Sequence, residues 1–190
     1  MGARGGAGGC WCMHWRLSIA KWMENKGDGN KAAMRALAER AEALATWLDR
    51  AHLLPAMGPP ERAFADIAAA LKEARALRAL FWTVFDAQKD GHNIPADAFA
   101  RLLGTARRGS DTITVSFDGS MTPLAAEGVF TILALRAITL VLAPPPQGVR
   151  ACDSCGWFFI DFSRSRRRRW CSMKTCGNQA KAARYRSTHP

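Results

Sequence analysis

Four cysteines near the C-terminal end constrain this chain more than any other feature. They are spaced Cys152-x2-Cys155, then fifteen residues, then Cys171-x4-Cys176. Two short-range cysteine pairs at such a separation form a zinc-site pattern. Zn²⁺ takes four thiolates in a closed tetrahedron when its role is structural, which leaves no position for water or substrate. The expectation is one structural zinc held by Cys152, Cys155, Cys171 and Cys176. Two disulfides would use the same residues. Disulfides belong to oxidising compartments, and the start of the chain lacks the uninterrupted apolar stretch of a secretory signal.

The residues around the cysteines suit a small metal-stapled fold. Ser154 and Gly156 let the backbone turn tightly beside the first pair. Trp157, Phe158, Phe159 and Ile160 are strand formers, and the segment at Trp170 is expected to return as the second strand of a hairpin. Asn178 is expected to cap a helix over Gln179 to Arg186. Cys176 would then sit at the helix N-terminus, where the dipole favours a thiolate. Knuckle, hairpin and helix together make a treble-clef layout, close to a zinc ribbon.

Charge is concentrated in the same segment. The chain carries +11 overall, but from Arg150 onward there are ten Arg/Lys against two Asp, so most of the excess lies there. A Zn(Cys)₄ centre adds −2 and leaves a dense positive surface, the footprint of a polyanion binder. Arg164, Arg166, Arg167, Arg168 and Arg169 are expected to form the hairpin turn, with Lys174, Lys181, Arg184 and Arg186 following. These nine are the candidate nucleic-acid contacts, because guanidinium forks match phosphate oxygens. Trp170, Tyr185 and Phe162 are candidates for stacking on bases. The alternative is that Trp157, Phe159 and Trp170 form the finger's small core while the arginines are merely solvated.

Ahead of this segment the pattern is helical. Residues 1–29 carry little readable pattern; their Gly/Ala/Arg-rich start reads as flexible. Cys10-Trp11-Cys12-Met13-His14 offers too few ligands for a second metal. A helix is expected from Asn30, with Met34, Leu37, Leu44, Trp47 and Leu48 on one face, ending before Pro55. Gly58-Pro59-Pro60 is a turn. A second helix is expected from Glu61 to Gln88, with Phe64, Ile67, Leu71, Ala74, Leu77, Phe81, Val84 and Phe85 as its core stripe. Pro95 is expected to open a short helix ending at Gly104. Thr112 to Phe117 alternates strictly, so a strand is expected with Ile113, Val115 and Phe117 on one face. Asp118-Gly119 should end it, with its partner strand expected in the N-terminal segment. Pro123 is expected to start an almost wholly apolar helix running to Leu142, the central packing element. Its apolar run is too short for a membrane span and is interrupted by Arg136. Pro144-Pro145-Pro146 reads as a stiff spacer. The fold class expected is a mainly α (α+β) domain over residues 30–146 with a small treble-clef or zinc-ribbon-like finger over 147–190.

The segment CDSCGWFFIDFSRSRRRRWCSMKTCGNQAK resembles the CGNR zinc-finger family of bacterial proteins. The resemblance rests on both cysteine pairs, the strand after the knuckle, Asp161-x-Ser163-Arg164, the arginine-rich turn, Arg169-Trp170-Cys171-Ser172-Met173 and Cys176-Gly177-Asn178. Residues Ala41 to Leu142 are similar in layout to the ABATE domain that precedes this finger. The resemblance implies a stress-responsive transcription regulator with a DNA-binding finger. The chain departs from the family where Gln179 replaces the arginine of the name motif, and where the opening Asp-Phe-x-Asn-Thr strand is missing. That arginine's expected role is either a phosphate contact or an anchor between helix and hairpin.

The function expected is therefore nucleic-acid binding in the cytoplasm. The favoured partner is DNA. RNA or the ribosome, and an acidic protein met by a zinc-stapled interaction module, are the alternatives. A homodimer and a small-molecule effector between the Leu124–Leu142 helix and the Ile113–Phe117 strand are further expectations. Catalysis is not expected. His14, His52, His92 and His189 show no triad or metal spacing, and no phosphate-binding glycine loop is present.

Overall fold

The computed structural model describes Leu53 and residues 67–156 and 158–189. The expected helix from Asn30, the turn at Gly58, the start of the Glu61 helix and the Cys10–His14 cluster lie outside the described residues.

Helix α1 spans Ile67–Lys89. Its stripe behaves as the spacing requires: Leu77, Leu80, Phe81, Val84 and Phe85 are buried, and Leu71 and Ala74 pack against them. Helix α2 spans Ala96–Arg108 after Pro95, whose φ of −57° is set for a helix entry. It runs a full turn past Gly104, where the sequence led us to expect its end. Burial of Thr105 and Ala106 beyond that glycine outweighs a helix-interior penalty of about 1 kcal/mol.

A 3₁₀ turn at Ser110–Thr112 leads into β1, Ile113–Val115, which pairs antiparallel with β2, Met121–Pro123. Ile113 faces Pro123 and Val115 faces Met121. The partner of β1 is thus the next segment of chain, not the N-terminal one. Pro123 belongs to this strand rather than to the following helix, which begins at Ala126. The turn brings the two strands together: Ser116 N–H donates to Ser120 O at 2.9 Å, and Ser120 N–H donates to the Asp118 carboxylate at 2.9 Å. A proline fits the end of an edge strand, where no ladder donor is needed. The alternation in β1 did not mark a buried face. Ile113 packs on the core, while Val115 and Phe117 are exposed.

Helix α3, Ala126–Leu142, is the centre of the domain, packing on α1, α2 and the hairpin. Eleven of its residues are buried, as an all-round apolar sequence demands. Gly128 permits the closest approach: a Cβ there would lie 2.2 Å from the Thr112 carbonyl oxygen. Backbone fills the space between α3 and the start of β1 where Gly128 meets Thr112, beside the place where an effector was expected. An open groove of about 540 Å³ lies instead between α1 and α2, lined in part by Lys72, Glu73, Leu80, Arg101 and Arg108. At the far end, Gln88 of α1 donates from Nε2 to the Leu140 and Val141 carbonyls at 3.4 and 3.3 Å, occupying acceptors that a helix C-terminus leaves open. Arg136 is buried in α3, and its Nε and Nη1 find no partner among the described residues. Burial pushes its pKa down to about 10, so it stays charged at neutral pH. Among the described residues no helix is long and apolar enough to cross a membrane.

The C-terminal segment begins with a second hairpin, β3 (Arg150–Ala151) against β4 (Phe158–Phe159). The strand that pairs with β4 precedes the first cysteine pair, so the Trp170 segment is not the return strand. Side-chain alternation places successive residues of β4 and its extension in two different cores. Phe158 and Ile160 join Val149 in the core of the helices. Phe159 lies instead among the cysteines. The Phe158 ring centroid is 4.7 Å from that of Trp82 and 6.0 Å from that of Phe85, both on α1. A π-helical turn at Met173–Gly177 then leads into helix α4, Asn178–Thr188.

A candidate metal centre and its basic loop

The fold brings the two cysteine pairs together by three local devices. Gly156 N–H donates to the Cys152 carbonyl at 2.8 Å and closes the first knuckle. Asp153 N–H donates to the Arg169 carbonyl at 3.0 Å, laying the chain before the second pair beside the first. The π turn curls Cys176 back under Cys171, with Gly177 N–H donating to Ser172 O at 2.9 Å. Gly177 leaves room beside the Met173 side chain, whose sulfur would lie 3.1 Å from a Cβ at that position. Asn178 does not cap α4. It is the first helical residue, and its Nδ2 donates to the Lys174 carbonyl at 3.0 Å, fastening the helix to the π turn.

The four Sγ atoms lie within 4.8 Å of one another. The Cys155–Cys171 and Cys171–Cys176 sulfurs are 3.7 and 3.8 Å apart. A tetrahedron with Zn–S bonds of about 2.3 Å has edges of about 3.8 Å, whereas a disulfide needs about 2.05 Å. The donor set and spacing fit zinc and not two disulfides. The neighbouring thiol of Cys155, then burial, pushes the Cys171 thiol well above its usual range, and burial does the same for Cys176. Thiols crowded in this way resist ionising together unless a cation joins them, and a divalent ion reverses that preference. Cys152 and Cys176 are buried, Cys155 and Cys171 half-buried, and Phe159 and Trp170 pack against them.

Asp161 organises the arginine-rich loop. Its side chain is fully buried one residue beyond Ile160. One carboxylate oxygen accepts from Ser163 N–H at 3.0 Å and the other from Arg168 N–H at 2.8 Å. The Arg150 guanidinium lies 3.6 Å from the second oxygen and also donates to the Arg166 carbonyl at 3.0 Å. Burial alone would raise this carboxyl. The hydrogen bonds from Ser163 and Arg168 outweigh it and hold the pKa below the ordinary aspartate value.

The nine cations named from the sequence divide into two groups. Arg168 turns inward, donating to the Cys171 carbonyl with its guanidinium over the Phe159 ring. Arg169 pairs with Asp153 at 2.7 Å and lies over the Trp170 ring. Arg164, Arg166, Arg167, Lys174, Lys181, Arg184 and Arg186 are exposed. Both acids of the finger, Asp153 and Asp161, are already engaged. The loop is not a hairpin turn, because β4 pairs with β3, yet it still presents these arginines to solvent. Of the candidate stacking residues, Trp170 is half-buried in the finger core, Tyr185 stacks on His189 at 4.3 Å, and Phe162 is exposed. Gln179 is exposed on α4, which buries no residue. An arginine there would be a surface cation rather than an anchor. Asp161 and Arg150 were missed as working residues. The Asp-x-Ser signature of a side-chain turn marked Asp161, while nothing local marked Arg150.

Comparison with known families places two matches along the chain. Residues 149–189 match the CGNR zinc finger. Residues 31–144 match the family ABATE, described as "Putative stress-induced transcription regulator". No curated protein matches the chain. The second match spans more than half of the 190 residues, and with the metal centre built as the first requires, the chain belongs to the ABATE family and carries its CGNR zinc finger.

Proposed function

We propose that this protein is a transcription regulator that binds duplex DNA through the basic face of its finger, with a single zinc as staple. The observation that carries the reading is the separation of charge within the finger. Its two acids are spent on Arg169 and on the Arg150–Arg168 frame, while seven cations remain exposed without an acidic partner among the described residues. A solvated face has no reason to segregate its charges in this way. A phosphate backbone does, because each neutralised phosphate releases counterions. The zinc has no chemistry to perform, since four thiolates fill its coordination. The helical domain would supply the regulatory input or the association surface.

The test is fluorescence anisotropy of the zinc-loaded protein on random-sequence duplex DNA at several salt concentrations. If about five side chains neutralise phosphates, log K falls with log[salt] at a slope near −4.5. Replacing Arg164, Arg166 and Arg167 by alanine should flatten the slope by about 2.7 and leave zinc in place. Arg168 is left intact because its side chain supports the Cys171 carbonyl. Preference for single-stranded RNA in competition would move the target from DNA to RNA, which the exposed Phe162 is placed to recognise by stacking. Absence of binding at low salt would leave a zinc-stapled protein-interaction module.

A further inference from the structure

The loop between Ile160 and Cys171 holds a conformation that its own sequence does not favour. Arg166 has φ of +51°, the only non-glycine residue in the left-handed region among the described residues. A side chain there is strained, and such a residue persists where its surroundings impose it. The surroundings are specific. Arg166 N–H donates to Ser163 O at 3.1 Å, and Arg150 holds the Arg166 carbonyl at 3.0 Å. Asp161 grips the loop at both ends through the N–H groups of Ser163 and Arg168. A glycine at 166 would relieve the strain, yet the position carries an exposed arginine.

We propose that Asp161 is a positioning residue of the nucleic-acid interface: its buried carboxylate, with Arg150, locks residues 162–169 in the strained form that presents Arg164, Arg166 and Arg167 for phosphate. The inference rests on the nucleic-acid reading above. It adds that the arginines act through fixed geometry rather than as a diffuse positive cloud, which is the arrangement bidentate guanidinium–phosphate contacts require.

The two accounts predict opposite signs for one substitution. Asp161→Asn removes a negative charge from a basic surface. A diffuse cloud would then bind polyanions more tightly, whereas a framed loop binds them more weakly. Asp161→Glu keeps the charge but displaces the carboxylate. The cloud predicts no change, and the frame again predicts loss. The experiment is the same anisotropy titration on duplex DNA, run with wild type and both variants in the full zinc-loaded chain, with zinc content and thermal melting measured alongside. With zinc content intact, both variants should bind roughly tenfold more weakly near 0.1 M salt, with slopes flatter by about 1, the loss of one phosphate contact. Tighter binding by Asp161→Asn, or unchanged binding by Asp161→Glu, would overturn the positioning role while leaving the nucleic-acid reading intact. If wild type itself fails to bind, the reading falls with it. Should one variant lose zinc, the other decides.

Discussion

At the scale of single residues, the cysteines divide by burial rather than by order. Cys152 and Cys176 lie inside the finger with Phe159, while Cys155 and Cys171 stand half-open to solvent. All four Sγ atoms are placed to hold one ion, so removing either buried one should remove the metal. Metal analysis should return one zinc per wild-type chain and far less in Cys152→Ser and Cys176→Ser, with a lower melting temperature of the whole chain. Structural zinc in small fingers supplies roughly 10–16 kcal/mol of apparent binding free energy at neutral pH, which acts as folding free energy. Full zinc occupancy in Cys152→Ser would show that the ligand set is wrong. The four positions were legible because ligand spacing is a local property. The division of labour among the arginines was not. Arg168 and Arg169 look like their neighbours in the sequence, and only the placement of Cys171 O, Phe159 and Asp153 sets them apart.

At the scale of elements, helix existence followed from periodicity among the described residues and the boundaries did not. The stripe of α1 and the apolar run of α3 specify buried faces that any compact arrangement must cover. Gly104 lost its stop signal because the next turn of α2 packs on α3. The second strand of the first hairpin was overlooked because Met121-Thr122-Pro123 is three residues ending in proline, too short to show alternation. Its effect is strong nonetheless, since it sets Thr112 against Gly128. Gly128→Ala should destabilise the protein by about 1–3 kcal/mol, the range for overpacking a filled core. The obstacle is a backbone carbonyl that cannot rotate aside. Thermal or denaturant melting checks this, and an unchanged midpoint would mean that the hairpin moves freely relative to α3.

At the scale of the whole molecule, β4 belongs to two cores at once. Phe158 and Ile160 are buried with the helices, while Phe159 and Asp161 serve the finger. The finger is stitched to the helical domain along one short strand, although a proline-rich run precedes it. Phe158→Ala should cost about 3–5 kcal/mol, seen as a lower melting temperature of the helical part with zinc retained. The zinc-loaded chain should melt in one cooperative transition, and chelation should lower the stability of the helices as well. Two separate transitions, with the helical one indifferent both to chelation and to Phe158→Ala, would show that the parts are independent.

The sequence by itself determined what depends on near neighbours: four cysteines at metal spacing, helical stripes of period near 3.6, and the place where positive charge accumulates. Tertiary structure alone decided what depends on distant pairings. It chose β3 rather than the Trp170 segment as the partner of β4, set Thr112 against Gly128, and engaged Arg150, Arg168 and Arg169 with groups of the finger itself. The physical reason is common to all three. A cysteine pair or an apolar stripe is fixed by backbone geometry over a few residues. The fate of a strand edge or a guanidinium depends on which acceptors and surfaces the completed chain brings within about 3 Å of it.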